Sequence, residues 1–280
     1  MARADSSSRS GAIDLARTWS GDVVFAGCNL STGKMISWRA DKSTATASCI
    51  KLQILVALMS EVEKGRQSLD RLITVKASDL VGGSGVLKHL SAGVTMPLRD
   101  IATLMIILSD NSATNIIIDL VGLDRINQVI SEMGLKSTRL VNRIDFGKIG
   151  NDPTKFAVST ARDFLTTLTA IAEGRLISAR ASRSMREIMS RQHYLDLLPR
   201  KLSYDPYAAD TGRAPALTVA GKTGFVSGFR GDAVIIEWRG ATLVMTAFAS
   251  GDDPSFLPDN AVARFMGDLG EALFNDLTAA

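Results

Sequence analysis

The sequence predicts an α+β fold, an α/β sandwich in which an antiparallel sheet built from both chain ends lies against an inserted all-helical domain. Three observations predict it. Residues 23–38 hold two short apolar runs around a turn. From about residue 48 to residue 200, apolar residues recur at helical spacing. From about residue 216 the period returns to that of strands, and an amphipathic stretch follows. Strand-forming segments at the two ends share one sheet in this reading. It gives a sheet domain of residues 1–43 and 205–280, a helical domain of residues 44–204, and a site at their interface.

Taken in order, Ser10 or Ser8 caps a first helix running to Trp19. Val23 to Cys28 reads as a buried strand, Asn29 to Lys34 as a turn, and Met35 to Trp38 as the returning strand. A helix-like run opens at Ser48 and ends at Gly65. Gly82 to Gly85 is a loop, and Pro97 lies in the first turn of the next helix. Ser109-Asp110-Asn111 interrupts the helical pattern, which resumes from Ala113 to Val121 and stops at Gly122. Asp124 to Met133 is a short helix, residues 138–157 are irregular, and Ser159 to Glu173 and Ser182 to Ser190 are helical. Leu217 to Gly221, Asp232 to Trp238 and Thr242 to Ala249 read as strands, the last two joined by a tight Arg239-Gly240 turn, and residues 259–277 as a final helix.

Composition narrows the function classes. The 280 residues are 46% hydrophobic and 22% charged, and a globular core of that size needs no disulfide or metal. The net charge of +3 is small and its positive residues are scattered, which argues against nucleic acid and an anionic membrane as partners. No apolar run reaches the roughly 18 residues that span a bilayer. The polar N-terminus carries no export signal, so the chain is expected to work in the cytoplasm or to have lost a leader. Cys28 and Cys49 make neither a disulfide framework nor a zinc site, and Cys49 reads as a buried free thiol. His89 and His193 have no ligand-spaced companions and read as surface or packing residues. No cofactor or metal is implied; a monomer acting on a small-molecule substrate is expected.

Three short motifs carry chemistry. Ser48-Cys49-Ile50-Lys51 is an S-x-x-K tetrad that sets two side chains on one helical face. A serine hydroxyl becomes a nucleophile when a neighbour takes its proton, and a desolvated lysine can do so because burial favours the neutral amine. Ser109-Asp110-Asn111 alone would pass for a helix cap, and Lys222-Thr223-Gly224 for a turn after an edge strand. Together and in this order they are the signature set of class A β-lactamases and penicillin-binding proteins, and the chain resembles that family from about residue 20 to 275.

The resemblance implies roles. Ser48 attacks the acyl carbon and Lys51 takes or relays its proton. Ser109 passes a proton toward the leaving nitrogen, and Asn111 holds Lys51 and the substrate amide. Lys222 adds positive charge near a substrate carboxylate, Thr223 contacts that carboxylate, and Gly224 completes the motif. The N–H groups of Ser48 and Phe225 form the oxyanion hole. Arg230 resembles the family's second carboxylate-binding arginine, on a strand connection one residue shorter; its other reading is a solvated turn residue.

The chain departs from the family where deacylation is concerned. Class A enzymes use a glutamate in an E-x-x-x-N loop, and no glutamate occurs from Met133 to Ala172. Arg143-Ile144-Asp145 aligns with the family's R-W-E, which makes Asp145 a catalytic candidate one methylene too short. Ile149 stands where the asparagine belongs, so a structural loop aspartate is the competing reading. Gly82 to Val86 lacks the family's aromatic gate, so an open mouth is expected. Three functions remain: a β-lactam hydrolase with weak deacylation, an esterase, amidase or D-alanyl peptidase, and a penicillin sensor that stays acylated.

Overall fold

The computed structural model describes residues 10–205, 207–208 and 210–279. The alternative Ser8 cap lies outside them; Ser10 is the cap, its Oγ accepting from Ile13 N at the start of α1 (Gly11–Thr18). Five strands form the main sheet: β1 (Val23–Asn29), β2 (Met35–Trp38), β3 (Leu217–Val226), β4 (Phe229–Trp238) and β5 (Ala241–Ser250). Their order is β2-β1-β5-β4-β3, every neighbour antiparallel. Pairing of β1 with β5, from Val23↔Ala249 to Asn29↔Leu243, joins the two ends of the chain. The hairpin between β4 and β5 turns at Arg239 and Gly240, both with positive φ (47° and 82°), as a primed two-residue turn requires.

The helices are α2 (Lys51–Glu63), α3 (Leu98–Ile107), α4 (Asn111–Val121), α5 (Leu123–Glu132), a single turn α6 (Phe146–Ile149), α7 (Ala161–Ala172), α8 (Ala179–Met189) and α9 (Ala261–Thr278). Pro97 sits one position earlier than expected, at the N-cap of α3, because it also ends a short strand paired with Leu72. Helix α2 buries eleven of its thirteen residues and packs against α3, α4, α5 and α8. A helix apolar on all sides belongs in a core, and α2 is the axis of the helical part. One hydrophobic core lies between that part and one sheet face, where Phe164 meets Phe248 edge-on. A second lies between the other face and α1 with α9, where Trp19 stacks on Phe265.

Two strands are longer than expected. β3 runs on through Lys222-Thr223-Gly224, and β4 starts at Phe229. The three motif residues pair with Ala233, Asp232 and Gly231. Glycine and charge there look like strand breakers, yet the sheet needs the missing side chains. A Cβ on Gly231 would lie 2.7 Å from the Phe248 ring and 3.1 Å from Cys49 Sγ. Residues 138–157 are irregular as expected, and they are pinned. Strand Ala157–Ser159 pairs with both Thr44–Ala45 and Arg139–Leu140. Cys28 and Cys49 are free thiols, and Cys49 is fully buried. His89 and His193 are exposed.

Candidate active site

Ser48 lies in a one-turn 3-10 helix, Ala47–Ile50, that leads directly into α2. Ala47 has φ +44°, a left-handed conformation that costs a non-glycine residue about 1 kcal/mol or more. Thr46 and Ala47 are buried against the motif strand, which holds this geometry. Lys51, the first residue of α2, is fully buried. Its Nζ donates to Ser109 O (2.7 Å) and Asn111 Oδ1 (2.9 Å) and lies 3.2 Å from Ser109 Oγ. Burial pushes the amine well below the ordinary lysine range, and the nearby Lys222 charge pushes the same way; Asp110 opposes them. Ser109 lies beside Lys51 and lines the cavity.

Ser109 also has a left-handed backbone, φ +53°. Asp110, to which the sequence assigned no role, supports it. Its Oδ1 accepts from Ala113 N as the cap of α4, and its Oδ2 accepts from Val86 N and Leu87 N. The residue thus ties the Gly82–Gly85 loop to α4. Gly85 is compulsory there, because a Cβ would fall 2.3 Å from the Asp110 carboxylate. Asn111 Nδ2 donates to Gly82 O (2.9 Å), and Ser84 Oγ donates to Ser109 O (2.7 Å). The legible signal was an aspartate immediately before a helix; Ser84 had none.

Lys222 and Thr223 come from β3 and are both buried. Lys222 Nζ donates to Thr223 O (2.7 Å), and burial lowers its pKa to about 8. Gly224 brings the strand against the nucleophile turn. A Cβ there would lie 2.7 Å from Thr46 O, 3.0 Å from Ser48 N and 3.1 Å from Ala47 Cβ. Gly224→Ala is therefore expected to displace Ser48 and slow its acylation by ~10² or more, since a shift of about 1 Å has that cost. An unchanged rate of adduct formation by intact mass would show that the turn is not pinned by β3.

One expectation is corrected, and the structural reading of Asp145 is the one its contacts fit. Arg230 is not a solvated turn residue; it is buried in β4 opposite Phe225. Its guanidinium donates to Val226 O, Phe229 O and Ser255 O (2.9, 2.8 and 2.6 Å) and lies against the rings of Phe225 and Phe256. Asp145 is turned away from the cavity. It caps α6, its Oδ1 accepting from Gly147 N and Lys148 N, and it does not line the cavity. Ile144 takes the place facing the site: Asn115 clamps its backbone at both N and O (2.9 Å each), and its side chain lines the cavity.

The cavity measures about 680 Å³, with Ser48, Ser84, Ser109 and Asn111 among its lining residues. Its mouth is not ungated. The Phe146 ring comes within 3.0 Å of where a Cβ on Gly83 would stand, so α6 supplies the aromatic cover that the Gly82–Val86 loop lacks. Among the described residues there is no group of three His, Cys, Asp or Glu side chains able to hold a metal. No helix among them is long and apolar enough to cross a membrane.

The sheet-plus-helices fold, with the three motifs converging where its halves meet, defines a β-lactamase-like class of hydrolases. Residues 12–277 match the model of the beta-lactamase enzyme family, and the chain belongs to that family. A β-lactamase of Proteus vulgaris is 38% identical over 103 residues, which cover 36% of this chain and 34% of that protein, so the match spans about a third of the relative. Among solved structures, a β-lactamase from Sphaerobacter thermophilus is 27% identical with a TM-score of 0.82, covering 94% of each chain. A glutamate-for-leucine variant of PBP-A, solved as its acyl-enzyme complex with penicillin G, is 24% identical with a TM-score of 0.80 over 94% of this chain and 93% of that one. A class A β-lactamase from Mycobacterium abscessus shares the fold at 17% identity and a TM-score of 0.81, covering 96% and 98%.

Proposed function

We propose that this protein is a serine acyl-transfer hydrolase that opens β-lactams through an acyl-enzyme on Ser48 and deacylates weakly. The buried Lys51 amine, held between Ser109 and Asn111, is the observation that carries this reading. Neutral Lys51 accepts the Ser48 proton as Oγ bonds to the carbonyl carbon. The amide C–N bond breaks, and Ser109 passes the proton on to the leaving nitrogen. The N–H groups of Ser48 and Phe225 receive the oxyanion. The two-residue turn at Ser227-Gly228 makes Val226 and Phe229 a hydrogen-bonded pair, so by alternation the Phe225 N–H points away from β4. Lys222 supplies positive charge, which also favours the neutral form of Lys51.

Weak deacylation rests on Ile144. The clamped backbone presents an apolar side chain to the cleft, and no carboxylate replaces it, because the Asp145 oxygens serve α6. A water beside the acyl-enzyme then has Lys51 as its base. Nitrocefin is expected to give a burst near one equivalent and then a slow steady rate, the mark of an accumulating acyl-enzyme. Asp145→Asn should leave the steady rate unchanged. Ile144→Glu should raise it by ~10²–10⁴, the usual worth of a positioned general base. Fast turnover without a burst would overturn the slow step, and a slower steady rate in Asp145→Asn would return Asp145 to the mechanism.

A further inference from the structure

The Gly82–Gly85 loop is fitted onto the Ser109-Asp110-Asn111 motif, and it delivers a hydroxyl there. Gly82-Gly83-Ser84-Gly85 has a single side chain, that of Ser84. Gly82 O accepts from Asn111 Nδ2 (2.9 Å), and Ser84 O accepts from Asn111 N (3.1 Å). A Cβ on Gly83 would stand 2.6 Å from Asn111 Nδ2, and one on Gly85 2.3 Å from the Asp110 carboxylate. Both glycines also have positive φ, 83° and 103°. Close approach of the backbone thus excludes side chains at 83 and 85, and Ser84 between them reaches the motif.

Ser84 lines the cavity, and its hydroxyl meets the two oxygens that hold the base. Ser84 Oγ donates to Ser109 O (2.7 Å), with Asn111 Oδ1 at 3.2 Å as its other acceptor. Lys51 Nζ donates to the same two atoms, at 2.7 and 2.9 Å. The Asn111 amide is kept from flipping, because its Nδ2 is held on Gly82 O. A carbonyl oxygen has two lone pairs, so each of these atoms can take both donors. An oxygen that already accepts an O–H offers less to an N–H, and an ammonium loses more by this than a neutral amine does. The charged groups acting on Lys51 from other elements are Lys222 on β3 and Asp110 at the cap of α4. Among the described residues, the charged side chain lining the cavity is Asp196.

We propose that Ser84 is a positioning residue for the base: by donating to Ser109 O and Asn111 Oδ1, its hydroxyl weakens their hold on a protonated Lys51 and keeps the amine free to take the Ser48 proton. This rests on the reading of Ser48 as the nucleophile and Lys51 as its base. Ser84 exchanges no proton with the substrate; it acts through the two acceptors it shares with Lys51. The bond to Ser109 O also braces the left-handed backbone of Ser109, a structural effect that is felt equally at every pH.

The test is the nitrocefin burst of the full chain, followed by stopped flow from mildly acid to alkaline pH, with a thermal melt of each variant as control. Ser84→Ala should move the rising limb of acylation to higher pH by about half to one pH unit, the scale on which one hydrogen bond shifts a pKa. On the acid side of the limb its acylation should then be about three- to tenfold slower, and the loss should close as pH rises. Ser84→Thr keeps the hydroxyl, and position 84 is exposed enough to turn the added methyl to solvent, so its limb should lie with that of the wild type. A limb that Ser84→Ala leaves in place or moves to lower pH, including a loss of rate equal at every pH, would overturn this inference and leave the hydrolase reading intact. So would a limb that Ser84→Thr moves as far as Ser84→Ala does. Failure of nitrocefin and of penicillin to leave an adduct on Ser48 of the wild-type protein would overturn both.

Discussion

Replacing Ser48 by alanine is expected to abolish every covalent adduct that penicillin or a fluorophosphonate forms with this protein. Ser48 is half-buried in the cavity wall, one helical turn from the buried amine of Lys51. Groups that act as a unit lose nearly everything when the nucleophile goes. Ser109 is the nearest candidate, and its neighbour Lys51 already draws on both its carbonyl and its hydroxyl. The fold should survive, because Ser48 is followed by buried Cys49 and Ile50 and the turn is held by its backbone and by Gly224. Intact mass after incubation with penicillin, with a thermal melt as control, gives the result. An adduct of unchanged yield in a folded Ser48→Ala protein would sink the assignment.

Lys51→Arg should slow acylation by ~10²–10⁴, the range for a lost general base, since a guanidinium keeps the charge and does not give up its proton. The pH profile separates this role from a structural one. Burial first, and the Lys222 cation second, hold the Lys51 amine well below its ordinary value. The base is active when neutral, so acylation should rise with pH through that depressed pKa. Lys222→Met removes one of the two depressing influences. Lys51 then titrates higher, and the rising limb should move to higher pH. Stopped-flow acylation across pH 5–9 would read the shift. A near-normal rate in Lys51→Arg, or a limb that stays put in Lys222→Met, would point to another base.

Much of this protein was legible before its structure. Helical period between terminal strand patterns located the sheet and the helices, because burial of one face imposes a period that survives in the sequence. Ser48, Lys51, Ser109 and Asn111 were legible for another reason. They fall in short signature motifs of fixed spacing, and the structure joins Lys51 to Ser109 and Asn111 directly.

The tertiary structure alone decided the rest, and each case depends on partners far away in the chain. Lys222-Thr223-Gly224 looked like a strand end because glycine and charge disfavour strands. Pairing with Gly231, Asp232 and Ala233, beneath the Thr46–Ser48 backbone, overrides that preference. Arg230 matched a carboxylate reader by position, and the structure buries it with its terminal nitrogens on the carbonyls of Val226, Phe229 and Ser255 and its Nε unpartnered. The loop after Arg143 offered an isoleucine and an aspartate, and the resemblance set the aspartate against the family's glutamate, with a structural loop role as the other reading. Asn115, on α4, fixes the backbone so that Ile144 faces the cleft and Asp145 caps α6. The strained turns at Ala47 and Ser109 leave no trace in residue type, since neither is glycine. A local pattern records what a residue prefers; long-range packing decides which preference is overruled, and here it overruled several of them around the substrate rather than around the nucleophile.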